Sequence, residues 1–308
     1  MRTHSAPSWL FIILGCLCFA PIISSPMALV LGFTLASLGW VPEHWDIGGL
    51  TKKLLSYSII GLGFGIPLQA ALDASLNNFT LIVGSIFFTL ILGVLLTRAF
   101  KFDAVTGHLI ASGTAICGGS AIAAIAPAIN ARNDQTAVAL ACVFVLNSVA
   151  LFVFPPIGHL LGLSQYDFGV WSAIAIHDTS SVVGAASAYG DEALKTATTI
   201  KLARALWIVP IALFSSMLFG GNARSINIPY FILLYCVAIA IANFLPQGQA
   251  VYEVIFTISK RLLVVCLFLI GAGITVQKMR AAGHKPMLLG VLLWMAIGSL
   301  SLIYIVTF

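Results

Sequence analysis

One stretch, Gly113-Thr-Ala-Ile-Cys-Gly-Gly-Ser-Ala-Ile122, constrains the fold more than any other part of the chain. It interrupts a long apolar run with Gly118 and Gly119, which release the backbone, and with Ser120, which can cap a new helix. Lipid offers no hydrogen bonds, so non-helical backbone at bilayer depth is tolerated only where protein or a water-filled cavity surrounds it. The stretch is therefore typical of an ion or substrate site and indicates a transporter.

The composition places the chain in a lipid bilayer. Hydrophobic residues make up 60% of the sequence and charged residues 8%, with a mean hydropathy of +1.06, whereas soluble domains carry about 25% charged residues. The net charge of +5 is what basic cytoplasmic loops produce, so it does not indicate nucleic-acid binding. We predict an all-α polytopic membrane protein in which residues 1–308 form a single integral membrane domain without a soluble domain.

Apolar runs long enough to cross a bilayer recur along the chain. A span needs about 20 apolar residues, and by this criterion we count about eleven segments. Lys and Arg in the early and late loops favour an amino terminus inside the cell and a carboxyl terminus outside. The first segment lacks a convincing cleavage site, which favours a retained helix over a signal peptide. The segments cover residues 9–23, 27–40, 54–72, 81–100, 105–129, 137–161, 168–189, 197–219, 229–244, 262–276 and 288–306.

Two segments repeat a pattern. Leu54-Leu55 with Gly63-Phe-Gly65-Ile66 and Gln69 matches Leu262-Leu263 with Gly271-Ala-Gly273-Ile274 and Gln277 at a fixed offset. The third and tenth segments would run in opposite directions, as an inverted-topology repeat requires. This predicts inverted repeats over about residues 26–160 and 165–308. Chance similarity remains an alternative, and so does a pairing of the broken fifth segment with the Gly271–Gly273 stretch.

The fifth segment contains the first candidate site. If it splits into two half-helices, the second one exposes unpaired N–H groups and about half a positive charge at its start, and such ends bind anions. The alternative is a kinked helix whose glycines allow close helix packing. The candidate substrate-binding residues here are Thr114, Cys117, Gly118, Gly119 and Ser120.

The seventh segment contains the second candidate site, Ile176-His-Asp-Thr-Ser-Ser-Val182. A carboxylate at bilayer depth costs about 3 kcal/mol, which makes Asp178 a functional candidate. Asp178 can bind a proton or a sodium ion, and His177 can carry a proton near neutral pH. Thr179, Ser180 and Ser181 are predicted to cap the following half-helix. The alternative is a re-entrant loop at the surface in which Asp178 merely caps a helix.

Lys201 and Arg204 form a third candidate because their spacing of three places both cations on one helix face. They either line the cavity opposite an anion or extend to the membrane interface. Asn147 is predicted to join helices rather than bind a ligand, and His108 to pack in the interior. The six cysteines lack metal-ligand spacing, so we predict no metal and no cofactor.

Both blocks together resemble a known pattern. Gly113-Thr-Ala-Ile-Cys-Gly-Gly-Ser-Ala-Ile-Ala-Ala, then Ala-Pro-Ala-Ile, is similar to the signature of the YeiH-like sulfate exporter family of bacteria. The run from His177 to Val182, followed by Lys201, Arg204 and Pro210, resembles that family's second block. The resemblance implies a fold like that of sodium/proton antiporters and bile-acid transporters, with inverted repeats and two discontinuous helices that cross.

We therefore expect a secondary transporter of the bacterial inner membrane that exports sulfate or sulfite by alternating access. A homodimer is the oligomer we consider for it. A proton or sodium ion would drive the export through His177 and Asp178. One alternative is an antiporter-like cation transporter that uses Asp178, although a cation site favours more than one carboxylate. A passive channel is another. An intramembrane enzyme with Ser120 or Ser180 paired to His177 is a remote alternative, because no GxSxG or HExxH motif is present.

Overall fold

The computed structural model describes residues 8–42, 45–220, 230–273 and 284–307. Within these ranges the regular structure is entirely helical, which confirms the predicted class. A short 3₁₀ helix, Pro246–Gly248, precedes the last but one α-helix. The α-helices are α1 (Ser8–Leu17), α2 (Ser25–Ser37), α3 (Ile47–Gly63), α4 (Leu68–Asn77), α5 (Phe79–Ala99), α6 (Ala104–Ala115), α7 (Gly119–Ala128), α8 (Asn133–Leu160), α9 (Gln165–Ala175), α10 (Thr179–Tyr189), α11 (Asp191–Ala205), α12 (Ile208–Phe219), α13 (Tyr230–Phe244), α14 (Gln249–Gly273) and α15 (His284–Thr307).

Long apolar helices identify a membrane protein. In the described part of the chain, five helical stretches are long and apolar enough to cross a bilayer, or six if α3 and α4 count as one broken span. The expectation of about eleven spans stays a prediction, as does the antiporter-like fold. The five stretches are Phe79–Ala99, Asn133–Leu160, Asp191–Phe219, Pro246–Gly273 and His284–Thr307.

The chain divides into two compact units, Met1–Ala70 with Tyr230–Val276 and Ala71–Pro229 with Gln277–Phe308. In the first unit α14 packs against α2 and α3. A Cβ atom on Gly271 would collide with the backbone of α2 at Leu29, so glycine is what lets the two helices approach so closely.

Helices α3 and α14 run antiparallel within the first unit. Ser58 contacts Cys266 at 3.8 Å, while Gly65 lies beside Phe256, so the numbering rises along one helix as it falls along the other. Ser58 and Cys266 are 208 residues apart, the offset that also relates the two matched sequence segments. An inverted repeat requires its two matched segments to run in opposite directions, as these two helices do, but the repeat itself stays a prediction. Ile274 and Gln277 of the matched pattern lie outside the described residues.

Three predicted segments differ from the helices observed. The third segment is not continuous, because the chain leaves helical geometry between Gly63 and Leu68, where Pro67 lacks the N–H that a helix interior needs. The eighth is interrupted at Leu206–Trp207. The tenth starts earlier than predicted, at Gln249. The prediction followed uninterrupted apolar runs, and Lys260 and Arg261, at half-buried positions, interrupt the run within α14.

In the second unit, a polar cluster joins the starts of α6 and α8 around Asp103, which lies outside the apolar segments. Asp103 Oδ2 accepts hydrogen bonds from the Thr106 N–H at 2.8 Å and from Gln135 Nε2 at 2.9 Å. Burial raises the pKa of Asp103, but hydrogen bonds from Thr106 and Gln135 and the charge of Arg132 outweigh it and hold the pKa below its ordinary value. The ionised carboxylate therefore stabilises the folded state.

We expect Asp103→Ala to lower stability by about 0.5–2 kcal/mol, because α6 loses its N-cap. A carboxylate whose pKa is lowered in the folded state stabilises that state at pH values above its unfolded-state pKa. The difference in the free energy of unfolding between wild type and Asp103→Ala should therefore be fully present at pH 7. It should shrink as pH falls through the folded-state pKa. Thermal unfolding of the detergent-solubilised protein at several pH values measures this, with Asp191→Asn, which alters an exposed carboxylate at the start of α11, as control. A difference that persists at low pH would contradict the assignment.

Candidate functional site

The predicted break in the fifth segment is present. Helix α6 ends at Ala115 and α7 begins at Gly119, and Gly118 between them has φ 64° and ψ −125°. The prediction that Ser120 caps α7 is wrong: the cap residue is Gly118, because only glycine readily adopts this backbone conformation, and Ser120 lies in the first turn. No side chain caps α7, so its first N–H groups are left to other partners.

The seventh segment is broken as well, between Ala175 and Thr179. Asp178 caps α10: its Oδ2 accepts from the Ser180 N–H at 3.0 Å and from the Ser180 hydroxyl. The prediction that Thr179, Ser180 or Ser181 caps this helix is wrong, because the carboxylate is the stronger acceptor and stands one residue before the helix. The positive end of α10 thus already faces a negative charge.

The two breaks meet inside the second unit. A Cβ atom on Gly118 would lie 3.2 Å from the Cα of Asp178 and 3.3 Å from its nitrogen. Gly118 is the cap residue of α7 and Asp178 that of α10. The amino-terminal ends of the two half-helices therefore converge.

Asn147, in the middle of α8, holds the second break in place. Its Oδ1 accepts hydrogen bonds from the backbone N–H groups of His177 and Asp178, at 3.1 and 3.2 Å. Without it, these N–H groups of the unwound stretch would lose an acceptor. Sequence reasoning assigned Asn147 a role in joining helices and missed this contact with the site. The available signal was a lone amide within a long apolar run.

Lys201 and Arg204 both lie near the end of α11 and are fully buried, which excludes the alternative that they extend to the membrane interface. Lys201 Nζ donates to the carbonyl oxygens of Ala173 and Ile176, at 3.2 and 2.8 Å. Arg204 Nη1 donates to those of Ala173 and Ile174. The two cations thus bind carbonyls at the negative, carboxyl-terminal end of α9.

Several buried polar atoms around the breaks have no protein hydrogen-bond partner among the described residues. Buried polar atoms nearly always have one, so each exception points to a ligand or water. Thr114 illustrates the contrast: Thr97 and Thr198 each donate to the carbonyl four residues earlier, whereas the Thr114 hydroxyl does not. The unpartnered atoms are Thr114 Oγ1, Asn147 Nδ2, His177 Nδ1 and Nε2, and Arg204 Nε and Nη2.

The remaining predicted site residues lie on the same two breaks. Cys117 is buried. Gly119, Ser120, Asp178 and Ser180 are partly exposed, whereas Thr179 and Ser181 are buried. His108 contacts Ser215 through a 2.7 Å hydrogen bond and packs in the interior, as expected.

The charge of the region is positive. In the described part of the chain, Lys201 and Arg204 are the Lys and Arg residues that are buried, and no Asp or Glu is buried there. Asp178 adds one partly exposed carboxylate. No group of three or more His, Cys, Asp or Glu residues within the described ranges is arranged to hold a metal ion. The arrangement therefore suits an anion better than a cation.

Sequence comparison places the chain among bacterial membrane proteins. A family model described as conserved hypothetical protein 698 matches residues 9–290. A UPF0324 membrane protein of Shewanella oneidensis is 75% identical over 299 residues, 97% of this chain and 95% of the relative. One from Photobacterium profundum is 71% identical over 96% of this chain and 91% of its own length, and one from Bacteroides thetaiotaomicron 46% over 92% and 86%. No solved structure matches the chain.

Proposed function

The chain belongs to the family of UPF0324 membrane proteins, and on that premise we propose that it is a secondary transporter for a small inorganic oxyanion. The substrate class is sulfate or sulfite, exported across the bacterial inner membrane by alternating access. Membership bears out the resemblance of the two sequence blocks to the YeiH-like family. The observation that carries the proposal is the set of unpartnered buried polar atoms around the two helix breaks.

The physical basis is the replacement of the anion's water. A buried anion loses its hydration and is stable only if many donors replace it. The unpartnered Thr114 hydroxyl, the Asn147 amide and the Arg204 guanidinium supply donors, and the uncapped start of α7 supplies N–H groups and positive potential. Buried Lys201 and Arg204 outnumber the single carboxylate of Asp178.

Asp178 suggests how transport is coupled. As an ionised carboxylate it accepts from Ser180 at the start of α10, where a substrate oxyanion would also bind. We infer that protonation of Asp178 removes this competing charge, so that a proton and an anion bind together and move in the same direction. A divalent oxyanion with one proton still carries a net negative charge, so an inside-negative membrane potential drives its export. His177 lies next to Asp178 and can relay the proton, because both ring nitrogens have no protein partner among the described residues.

Flux of labelled sulfate and sulfite into proteoliposomes tests the proposal. We expect saturable flux that accelerates when the side that contains the anion is more acidic. Asp178→Asn should remove the dependence on the pH gradient, whereas Asp191→Asn, which changes an exposed carboxylate at the start of α11, should preserve it.

Three outcomes would contradict parts of this proposal. Absence of flux for either anion, with correctly inserted protein, would exclude the substrate class. Flux that does not saturate would indicate a channel. Flux driven by a sodium gradient and indifferent to pH would assign the coupling to sodium. The enzyme alternative has no support in the site, because neither ring nitrogen of His177 contacts a serine of the described chain.

A further inference from the structure

The two buried cations of α11 use their hydrogen-bonding groups differently. Lys201 directs its ammonium at two carbonyl oxygens, of Ala173 and Ile176. Arg204 commits only Nη1 to the end of α9, through the carbonyls of Ala173 and Ile174. Its Nε and Nη2 are buried and have no hydrogen-bond partner in the described protein.

The two nitrogens of Arg204 without a partner in the described protein, Nε and Nη2, are neighbours on the guanidinium group. Nε–H and one Nη2–H lie on the same edge of the planar guanidinium and point in parallel directions. This edge matches two oxygens of a carboxylate, phosphate or similar oxyanion, which it binds through two parallel hydrogen bonds. Because Nη1 is fixed on α9, the guanidinium is already oriented before a ligand arrives.

The surroundings of Arg204 connect this edge to the rest of the site. Arg204 binds the carbonyls of Ala173 and Ile174 in the last turn of α9, directly before the second break, so the guanidinium lies beside that break. Along the chain, the carbonyls that Arg204 binds precede by a few residues the N–H groups that Asn147 binds. Leaving a buried guanidinium with unmet donors is costly, which favours a ligand that satisfies them.

We propose that the Nε–Nη2 edge of Arg204 is the specificity-determining group of the anion site, and that it selects anions able to present two oxygens side by side. This inference rests on the proposed function and names the group that recognises its oxyanion substrate, because a monatomic halide cannot span the two donors. Lys201 is a positioning residue that neutralises the end of α9 and holds the carbonyls against which Arg204 is oriented.

Binding to the purified protein in detergent tests the inference, with sodium sulfate and sodium chloride as probes. We expect sulfate to raise the melting temperature of wild type in a saturable manner and chloride to raise it little. Arg204→Lys keeps the charge but loses the two-donor edge, and should weaken sulfate affinity about 10- to 100-fold. Arg98→Lys makes the same exchange at an exposed position at the end of α5 and should leave sulfate affinity unchanged.

The wild-type anion panel keeps the inference testable even if Arg204→Lys does not fold. Equal stabilisation of wild type by chloride and sulfate would overturn it, and so would a folded Arg204→Lys protein with unchanged sulfate affinity. Sulfate flux in liposomes together with either result would leave the transport proposal intact and refute only the role of Arg204. Tight, Arg204-dependent sulfate binding without flux would refute the transport proposal and still support Arg204 as the anion-binding group.

Discussion

Gly118→Ala is expected to reduce anion flux at least about tenfold, because it affects a point where the two half-helix starts lie close together. At φ 64° and ψ −125°, a residue with a side chain is strained by about 1–3 kcal/mol. The added Cβ would also lie 3.2 Å from the Cα of Asp178, a backbone atom that cannot rotate away. Relief of the contact therefore has to separate α7 from α10. Initial rates of sulfate uptake into proteoliposomes measure the effect.

The chain provides a matched control at Gly162. It has the same positive φ of 64°, but nothing lies within 4 Å of the position its Cβ would occupy. Gly162→Ala thus imposes a positive φ on a residue with a side chain but adds no contact near the site, and we expect near-normal flux. Similar losses in the two variants would assign the effect to general strain, and wild-type flux in Gly118→Ala would show that the contact of the two breaks is dispensable.

Asn147→Leu is expected to abolish transport and to destabilise the protein. Leucine has a similar size but no acceptor, so the N–H groups of His177 and Asp178 lose the oxygen at 3.1 and 3.2 Å. Each unsatisfied buried donor costs about 1–3 kcal/mol, so the pair corresponds to about 2–6 kcal/mol if no water replaces the amide. The melting temperature and sulfate flux of the same preparation measure both consequences.

Two further variants separate the roles of the Asn147 side chain. Asn147→Asp keeps an acceptor for the two N–H groups but adds a negative charge and loses the Nδ2 donors, so we expect retained folding with weakened anion binding. Asn78→Leu removes another buried amide of the second unit, which donates to Ala74 and Tyr166 away from the breaks, and should leave anion affinity unchanged. Equal anion affinity in Asn147→Asp and wild type would exclude Asn147 as a ligand.

The general character of this protein could be predicted from its sequence because lipid imposes a severe constraint. A chain with so few charges has to satisfy its backbone polar groups within helices, so a glycine pair or a cluster of polar residues inside an apolar run marks an interruption. The break between Ala115 and Gly119 and the polar centre at His177–Asp178 were therefore visible as local composition.

Other features could not be predicted, because they depend on what the neighbouring helices contribute. Gly118 rather than Ser120 caps α7 because of a backbone conformation that glycine permits but does not require. Asp178 rather than the hydroxyl residues caps α10 because its carboxylate reaches Ser180. The break after Gly63 was missed because the segment was delimited by hydropathy, and hydropathy does not register the N–H that Pro67 lacks.

The sequence by itself determined that the chain is a helical membrane protein with two interrupted helices, since hydropathy and helix breaking are local properties of residues. Only the tertiary structure decided that the two interruptions touch, that Asn147 binds one of them, and that Lys201 and Arg204 differ in role. The reason is physical: hydrogen bonds between residues 25 to 31 positions apart depend on how helices pack, and helix packing is not encoded in any single stretch of the chain.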